Sequence, residues 1–311
     1  MMRSPRIIGG REDRHEWIGR GHAVRPRAAP LPPPAGALIP LSNKRESERI
    51  VTEPETTTVE LNGFSCRVWR QGKGPKLGFL AGFGGLPRPI PFLDRLARSR
   101  TLIVPSLPGF PGGDRGHSVL DSHLDWVLAV RLLLLKAGLE GADLAGSTVG
   151  GSFAAEVAAL WPSSVRRLAL IAPWGLFDEK APMVDPWAQR PADLGALLCA
   201  RPERWDELKA APEGTNSPEW PIEQTRANEA AARAFWPLGN TRIEKRLSLV
   251  AAPTLILQGA EDRLMPQAMI ARFAALLGGP SETRIIPRAG HLAELDAPEE
   301  VADAILAWTS S

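Results

Sequence analysis

The residues best placed to do chemistry lie in Asp143-Leu144-Ala145-Gly146-Ser147-Thr148-Val149-Gly150-Gly151, where a short strand-like run gives way at once to a helix. Glycines stand two before and two after Thr148. That is the layout of a nucleophile elbow, a strand-to-helix turn so sharp that flanking side chains would collide with neighbouring elements. The central residue is pushed out at the helix N-terminus, where the dipole favours developing negative charge. Here it is a threonine, whose hydroxyl a base could deprotonate and which could carry an acyl group. Its β-branch is a cost, because an elbow residue takes positive φ and the extra methyl stands where an acyl carbonyl must approach.

Two serines compete for the same role. Ser147 has Val149 two positions on, too large for an elbow. Ser152, in Gly150-Gly151-Ser152-Phe153-Ala154, lies one helical turn past the strand end. Four residues after Thr148 it shares that helix face, which puts it beside or beneath the site. A hydroxyl nucleophile also needs a base, and histidine is scarce. Outside the N-terminal segment there are only His117, His123 and His291. His117 falls in a Gly-rich loop and His123 near a helix start, and both are expected at the surface. His291, in Ala289-Gly290-His291, follows the last strand and is left as the base.

Taken in order along the chain, these features resemble the α/β-hydrolase family over about residues 57–310. Gly82-Phe83-Gly84-Gly85 follows the first parallel strand, where that family places an oxyanion-hole loop. The resemblance implies that the backbone N–H groups of Phe83 and Val149 bind an oxyanion. The family often has His before this glycine; this chain has Ala81, a tolerable departure because the donors are backbone groups. Gly259-Ala260-Glu261-Asp262 matches the family's G-x-x-D position, which implies that Asp262 orients His291. The order nucleophile, acid, histidine is the one expected for that fold. The serious departure is Thr148, where the family normally has Ser.

The resemblance implies a hydrolase of small to medium, largely apolar carboxylic esters or related acyl compounds, acting through Thr148, His291 and Asp262 without cofactor or metal. Hydrolases that cleave carbon–carbon bonds of ring-fission products share the layout. Haloalkane dehalogenases and epoxide hydrolases use Asp at the elbow, and Thr148 argues against both. Two further readings follow from the missing serine: His291–Asp262 proton transfer or lyase chemistry without a covalent intermediate, and a ligand-binding pseudo-hydrolase.

The elements that must position these residues alternate. Thr56–Glu60 and Phe64–Trp69 are β-rich and flank Asn62-Gly63, a strong hairpin signal. Strands then follow at Leu77–Ala81, Leu102–Val104, Ala142–Ser147, Arg167–Ala172, Thr254–Gln258 and Thr283–Ile286, with helices between. This predicts an α/β fold, a mainly parallel central sheet with helices on both faces. The rhythm breaks at 176–248, which reads as helices only: Pro191–Ala200, Pro202–Ala211 and Ile222–Phe235. A helical cap inserted between the two parts of the core, 51–175 and 249–311, accounts for it. Trp174, Trp187, Trp205, Trp220 and Trp236 lie in or beside it. They either pack its own core or line an apolar pocket beneath it.

Composition closes off other classes. The net charge of +2 is unevenly spread. Residues 1–50 hold nine Arg and one Lys against five acidic residues; the other 261 hold 27 basic against 30 acidic. The basic part is rich in Arg, Gly and Pro, is expected to be disordered, and lacks the apolar core of a secretory signal. Its charge is not organised on a helix face and lacks aromatic interleaving, so no nucleic-acid partner is expected. No apolar run approaches the ~18 residues of a membrane span. Two cysteines, Cys66 and Cys199, make neither a disulfide framework nor a Cys-rich metal site. The expected partner is a small-molecule substrate in the cytoplasm; nothing in the sequence specifies an oligomeric state.

Overall fold

A computed structural model describes residues 53–214, 218–237 and 239–310; the disorder expected for 1–50 lies outside the described residues. The chain opens with the hairpin. Strands β1 (Glu55–Leu61) and β2 (Phe64–Gln71) pair antiparallel around Asn62 and Gly63, whose φ values of 45° and 95° are the left-handed pair that a tight two-residue hairpin needs. Then come β3 (Lys76–Leu80), α1 (Pro91–Ala97), β4 (Thr101–Pro105), α2 (His123–Lys136), β5 (Ala142–Ser147), α3 (Thr148–Leu160) and β6 (Val165–Ile171). Helix α2 starts where it does because Ser122 and Asp125 form a reciprocal capping box.

After β6 the described chain is helical for some eighty residues (172–253), with α4 (Leu194–Leu198), α5 (Pro202–Lys209) and α6 (Glu219–Phe235) joined by 3₁₀ turns and loops. The sheet resumes with β7 (Thr254–Gly259), α7 (Gln267–Leu276) and β8 (Ser281–Ile286), and the described chain closes on α8 (Ala293–Asp296) and α9 (Pro298–Ser310). The spacing expected the strands and longer helices; the four-residue α8, right behind His291, was not foreseen.

The eight strands lie in the order β1-β2-β4-β3-β5-β6-β7-β8, parallel from β4 to β8. Helices cover both faces, and β5 and β7 are buried almost throughout, as parallel strands sandwiched between helices must be. The exposed edge, β8, begins Ser-Glu-Thr-Arg and so resists pairing with another chain. From β3 the chain steps outward to β4, then crosses back over β3 to enter β5. The connections leaving β3 and β5 therefore diverge, and the crevice between their carboxyl ends is the place where such a sheet binds ligands. The Phe83 loop leaves β3 there, and Thr148 leaves β5. Among the described residues no helix is long and apolar enough to cross a membrane.

Candidate active site

The turn from β5 into α3 takes no residue: the strand ends at Ser147 and the helix begins at Thr148. Thr148 has φ +45°, a strained value for a β-branched residue. Its surroundings hold it there. A Cβ on Gly150 would lie 2.4 Å from the Leu80 carbonyl oxygen and 2.5 Å from that of Ala81, so α3 can press against β3 only through glycine. Helix α3 is buried along nearly its whole length, through Gly, Ala and Val on every side.

Thr148 is fully buried, and its Oγ1 accepts a hydrogen bond from the Phe83 N–H at 2.7 Å. The loop after β3 thus aims a backbone donor at the elbow. As the second residue of α3, Val149 has an N–H without an intrahelical acceptor. Asp262, just beyond β7, and His291, beyond β8, meet across the sheet ends, with His291 Nδ1 2.9 Å from Asp262 Oδ2. The other carboxylate oxygen of Asp262 accepts from the Leu264 and Met265 N–H groups, both at 2.9 Å. Burial works to raise the Asp262 carboxyl, but the His291 ring and the hydrogen bonds from His291, Met265 and Gln258 outweigh it and hold the pKa below its ordinary value. A carboxylate kept ionised against Nδ1 fixes the tautomer that leaves Nε2 as an acceptor.

That acceptor is taken. Trp174, three residues past the end of β6, donates its indole N–H to His291 Nε2 at 2.9 Å. Thr148, His291 and Trp174 are all fully buried. The ring of Phe83 lies 5.7 to 6.0 Å from the rings of Trp174, Trp187 and Trp205. Three of the five tryptophans singled out by sequence thus converge on the elbow loop. Trp236 is exposed, and Trp220 spends its indole N–H on the Lys209 carbonyl. In this closed arrangement the Thr148 hydroxyl occupies the Phe83 N–H and the Trp174 indole occupies His291 Nε2. Trp174→Phe removes that donor while keeping an aromatic ring. We expect it to raise kcat on an activated ester about fivefold, the worth of one neutral hydrogen bond; steady-state kinetics read it directly.

One acidic neighbour had no counterpart in the sequence reading. Glu294, at the start of α8, is 5% exposed and lies near Ser147 and His291. Burial pushes its carboxyl up to about 7, against the opposing pull of Ser147 and His291. The folded chain therefore holds this proton more tightly than the unfolded chain does. Stability falls as pH rises from the ordinary carboxyl value towards 7, then levels off. Glu294→Gln removes that penalty. The stability of the variant relative to the parent should improve by up to roughly 3 kcal/mol between pH 4 and pH 8, measured by urea unfolding at both.

Two expectations need correction. His117 and His123 were placed at the surface, yet His117 is 3% exposed, with Nε2 3.6 Å from Glu229 of α6. His123 is partly buried, 3.0 Å from the carboxylate of Glu156, which is itself fully inside. The reason is tertiary: α6 folds over the loop that holds His117, and α2 packs on α3. Ser152 is buried in α3, one turn past Thr148. Cys66 and Cys199 are free and buried; burial pushes the Cys66 thiol up to about 12 and raises Cys199 too, so neither is a nucleophile at neutral pH. Among the described residues no cluster of three or more His, Cys, Asp or Glu is placed to hold a metal ion.

Comparison with known proteins bears on the family and the fold. The sequence profile of the alpha/beta hydrolase family matches residues 78–304. A 2-hydroxy-6-oxo-2,4-heptadienoate hydrolase of Pseudomonas putida is 25% identical over 211 residues, covering 66% of this chain and 76% of that protein. A carboxylesterase of Bacillus subtilis, YbfK, is 27% identical over 208 residues, 63% of this chain and 68% of the relative. Among solved structures, a 2-hydroxy-6-oxo-6-phenylhexa-2,4-dienoate hydrolase of Rhodococcus superposes with a TM-score of 0.66 at 19% identity, covering 84% of this chain and all of the other.

Proposed function

The chain belongs to the α/β-hydrolase family, and from that premise we propose that it hydrolyses small to medium, largely apolar carboxylic esters or related acyl compounds through Thr148, His291 and Asp262. The observation that carries this reading is the pairing of a base and its acid with a hydroxyl seated on a backbone donor. His291 Nδ1 meets Asp262 at 2.9 Å, and the Phe83 N–H meets Thr148 Oγ1 at 2.7 Å.

In this reading a carbonyl substrate displaces Trp174 from His291 and draws Thr148 into another side-chain rotamer. That rotation frees the Phe83 N–H, and attack then requires the hydroxyl to reach Nε2. His291 takes the hydroxyl proton as Oγ1 attacks the carbonyl carbon, and the Phe83 and Val149 N–H groups hold the resulting oxyanion. His291 returns the proton to the leaving alkoxide; water then enters by the same path, reversing the roles and releasing the acid. Asp262 stays ionised and steadies the imidazolium. Segment 176–248 acts as the cap over this site.

One of the relatives favours a second reading. The 2-hydroxy-6-oxo-2,4-heptadienoate hydrolase supports cleavage of a carbon–carbon bond next to a ketone, while the carboxylesterase supports ester cleavage. Both begin at a carbonyl carbon and differ in the leaving group. The experiment that tests the proposal pairs a 4-nitrophenyl ester with a 2-hydroxy-6-oxo-dienoate, and follows acylation of Thr148 by mass spectrometry after rapid quench. Ester turnover with an acyl adduct on Thr148 supports the first reading; turnover of the dienoate alone supports the second.

A further inference from the structure

The loop carrying Phe83 also forms one wall of a cavity of about 440 Å³. Helices α5 and α6 supply the facing wall, with Trp205, Lys209, Gln224 and Asn228. Its size suits a small organic ligand, and much of the lining is apolar or uncharged. The cation in it is Lys209. Its Nζ lies 5.3 Å from the centre of the Trp205 ring and would stand 3.9 Å from a Cβ placed on Gly84.

Among the described residues no carboxylate forms an ion pair with Lys209 within 4.0 Å. Glu223, whose charge reaches it, accepts instead from the Gly112 N–H and from Arg226. Asp206 lies on the cavity wall as well but is exposed to water. Lys209 is half-buried; burial pushes its ammonium down to about 8, with Glu223 drawing it back up, so it remains largely charged at neutral pH while partly shielded from water. A cation in that condition gains most from an incoming anion. The reacting centre is near. Phe83 and Gly84 are consecutive, so Nζ lies within roughly 10 Å of the Phe83 N–H that faces Thr148.

We propose that Lys209 forms an anion subsite, and that the natural substrate carries a carboxylate a few carbon atoms from the carbonyl held at the Phe83 N–H. The proposal rests on the hydrolase reading and narrows its substrate class from simple apolar esters to acyl compounds ending in a carboxylate. In this reading Trp205 and the apolar wall cover the intervening chain; Gln224 and Asn228 line the same cavity, and the Gln224 amide donates to the Lys209 carbonyl.

The test compares 4-nitrophenyl pentanoate with the mono-4-nitrophenyl ester of glutaric acid, which differ only in a terminal methyl against a carboxylate. The parent protein should favour the half-ester by about tenfold to a hundredfold in kcat/KM, the worth of one charge-assisted contact. Lys209→Met should erase that preference by losing half-ester activity, leaving the pentanoate within about twofold; Lys209→Arg should keep part of it. The preference should also fade above pH 8, as Lys209 loses its proton. Equal use of both esters by the parent, or a preference that survives in Lys209→Met, overturns the subsite while leaving the hydrolase reading intact. If neither ester is turned over, the ester reading fails by itself, and calorimetric titration with glutarate decides the subsite. Binding to the parent that is lost in Lys209→Met upholds it, and no binding to the parent overturns it.

Discussion

Replacing His291 with alanine is expected to cut kcat on an activated ester by at least about 1000-fold, leaving only what binding and the backbone donors contribute. Neither of the other described histidines is placed to stand in as base. His117 is buried against α6, and His123 is tied to Glu156 on the far side of α3's first turns. The companion variants separate the possible roles of the threonine. Thr148→Ala should be as damaged as His291→Ala, because residues that act as a unit are not additive. Thr148→Ser keeps the hydroxyl, relieves the crowding at φ +45° and removes the methyl from the path of the acyl carbonyl. It should run faster than the parent, by up to ~100-fold if the methyl displaces the carbonyl by about 1 Å. Full activity in Thr148→Ala with none in His291→Ala would instead assign proton-transfer chemistry to His291 and Asp262. No turnover by any form, with ligand still bound, would assign a binding role.

Arg246→Ala is expected to cost about 3–5 kcal/mol of stability, the penalty for leaving a buried charge without its partner. Glu156 sits in the middle of α3 with no exposure to water. Both of its carboxylate oxygens accept from Arg246, and one also meets His123. Burial acts to raise the Glu156 carboxyl, but Arg246 and His123 more than offset it, so its pKa lies below the ordinary value. The ion pair therefore contributes stability above the ordinary carboxyl range and loses it as pH falls through the depressed value. In Arg246→Ala that sign reverses, because an unpaired buried carboxylate is relieved by taking a proton. The variant should be most impaired near pH 8 and recover towards the parent near pH 4, as read by urea unfolding. Joining Glu156→Gln to Arg246→Ala should restore much of the loss at pH 8, since no buried charge is then stranded. Arg246 belongs to the segment that leads from α6 into β7. The pair thus ties the helical region to the helix that begins at Thr148.

How far the sequence reached differs between local and tertiary features. The hairpin at Asn62-Gly63, the strand-to-helix turn at Thr148 and the helical interval after β6 were all legible, because each follows from spacing within a few residues. Gly150 was legible too: only a close backbone approach requires glycine there, and the Leu80 and Ala81 carbonyls supply it. In sequence, Trp174 is only one of several tryptophans in or near the helical interval. No local signal separates an indole that will pack a helix from one that will bond His291, 117 residues away. Glu294 and Glu156 look like ordinary surface glutamates in sequence, and His117 and His123 like surface histidines. Their burial depends on which helices lie over them, α6 on one side and the α2–α3 pair on the other.

By itself the sequence determined which residue types stand at the ends of β3, β5, β7 and β8, and in which chain order. Those choices are written in strand and turn periodicity. The tertiary structure alone decided what those residues touch. It put the Thr148 hydroxyl on the Phe83 N–H and the Trp174 indole on His291, and it left Lys209, without an ion pair among the described residues, beside the same loop. The reason is that hydrogen-bond partners and buried charges are settled by the crossing of elements far apart in the chain, where packing and the cost of an unsatisfied polar group outweigh local preference.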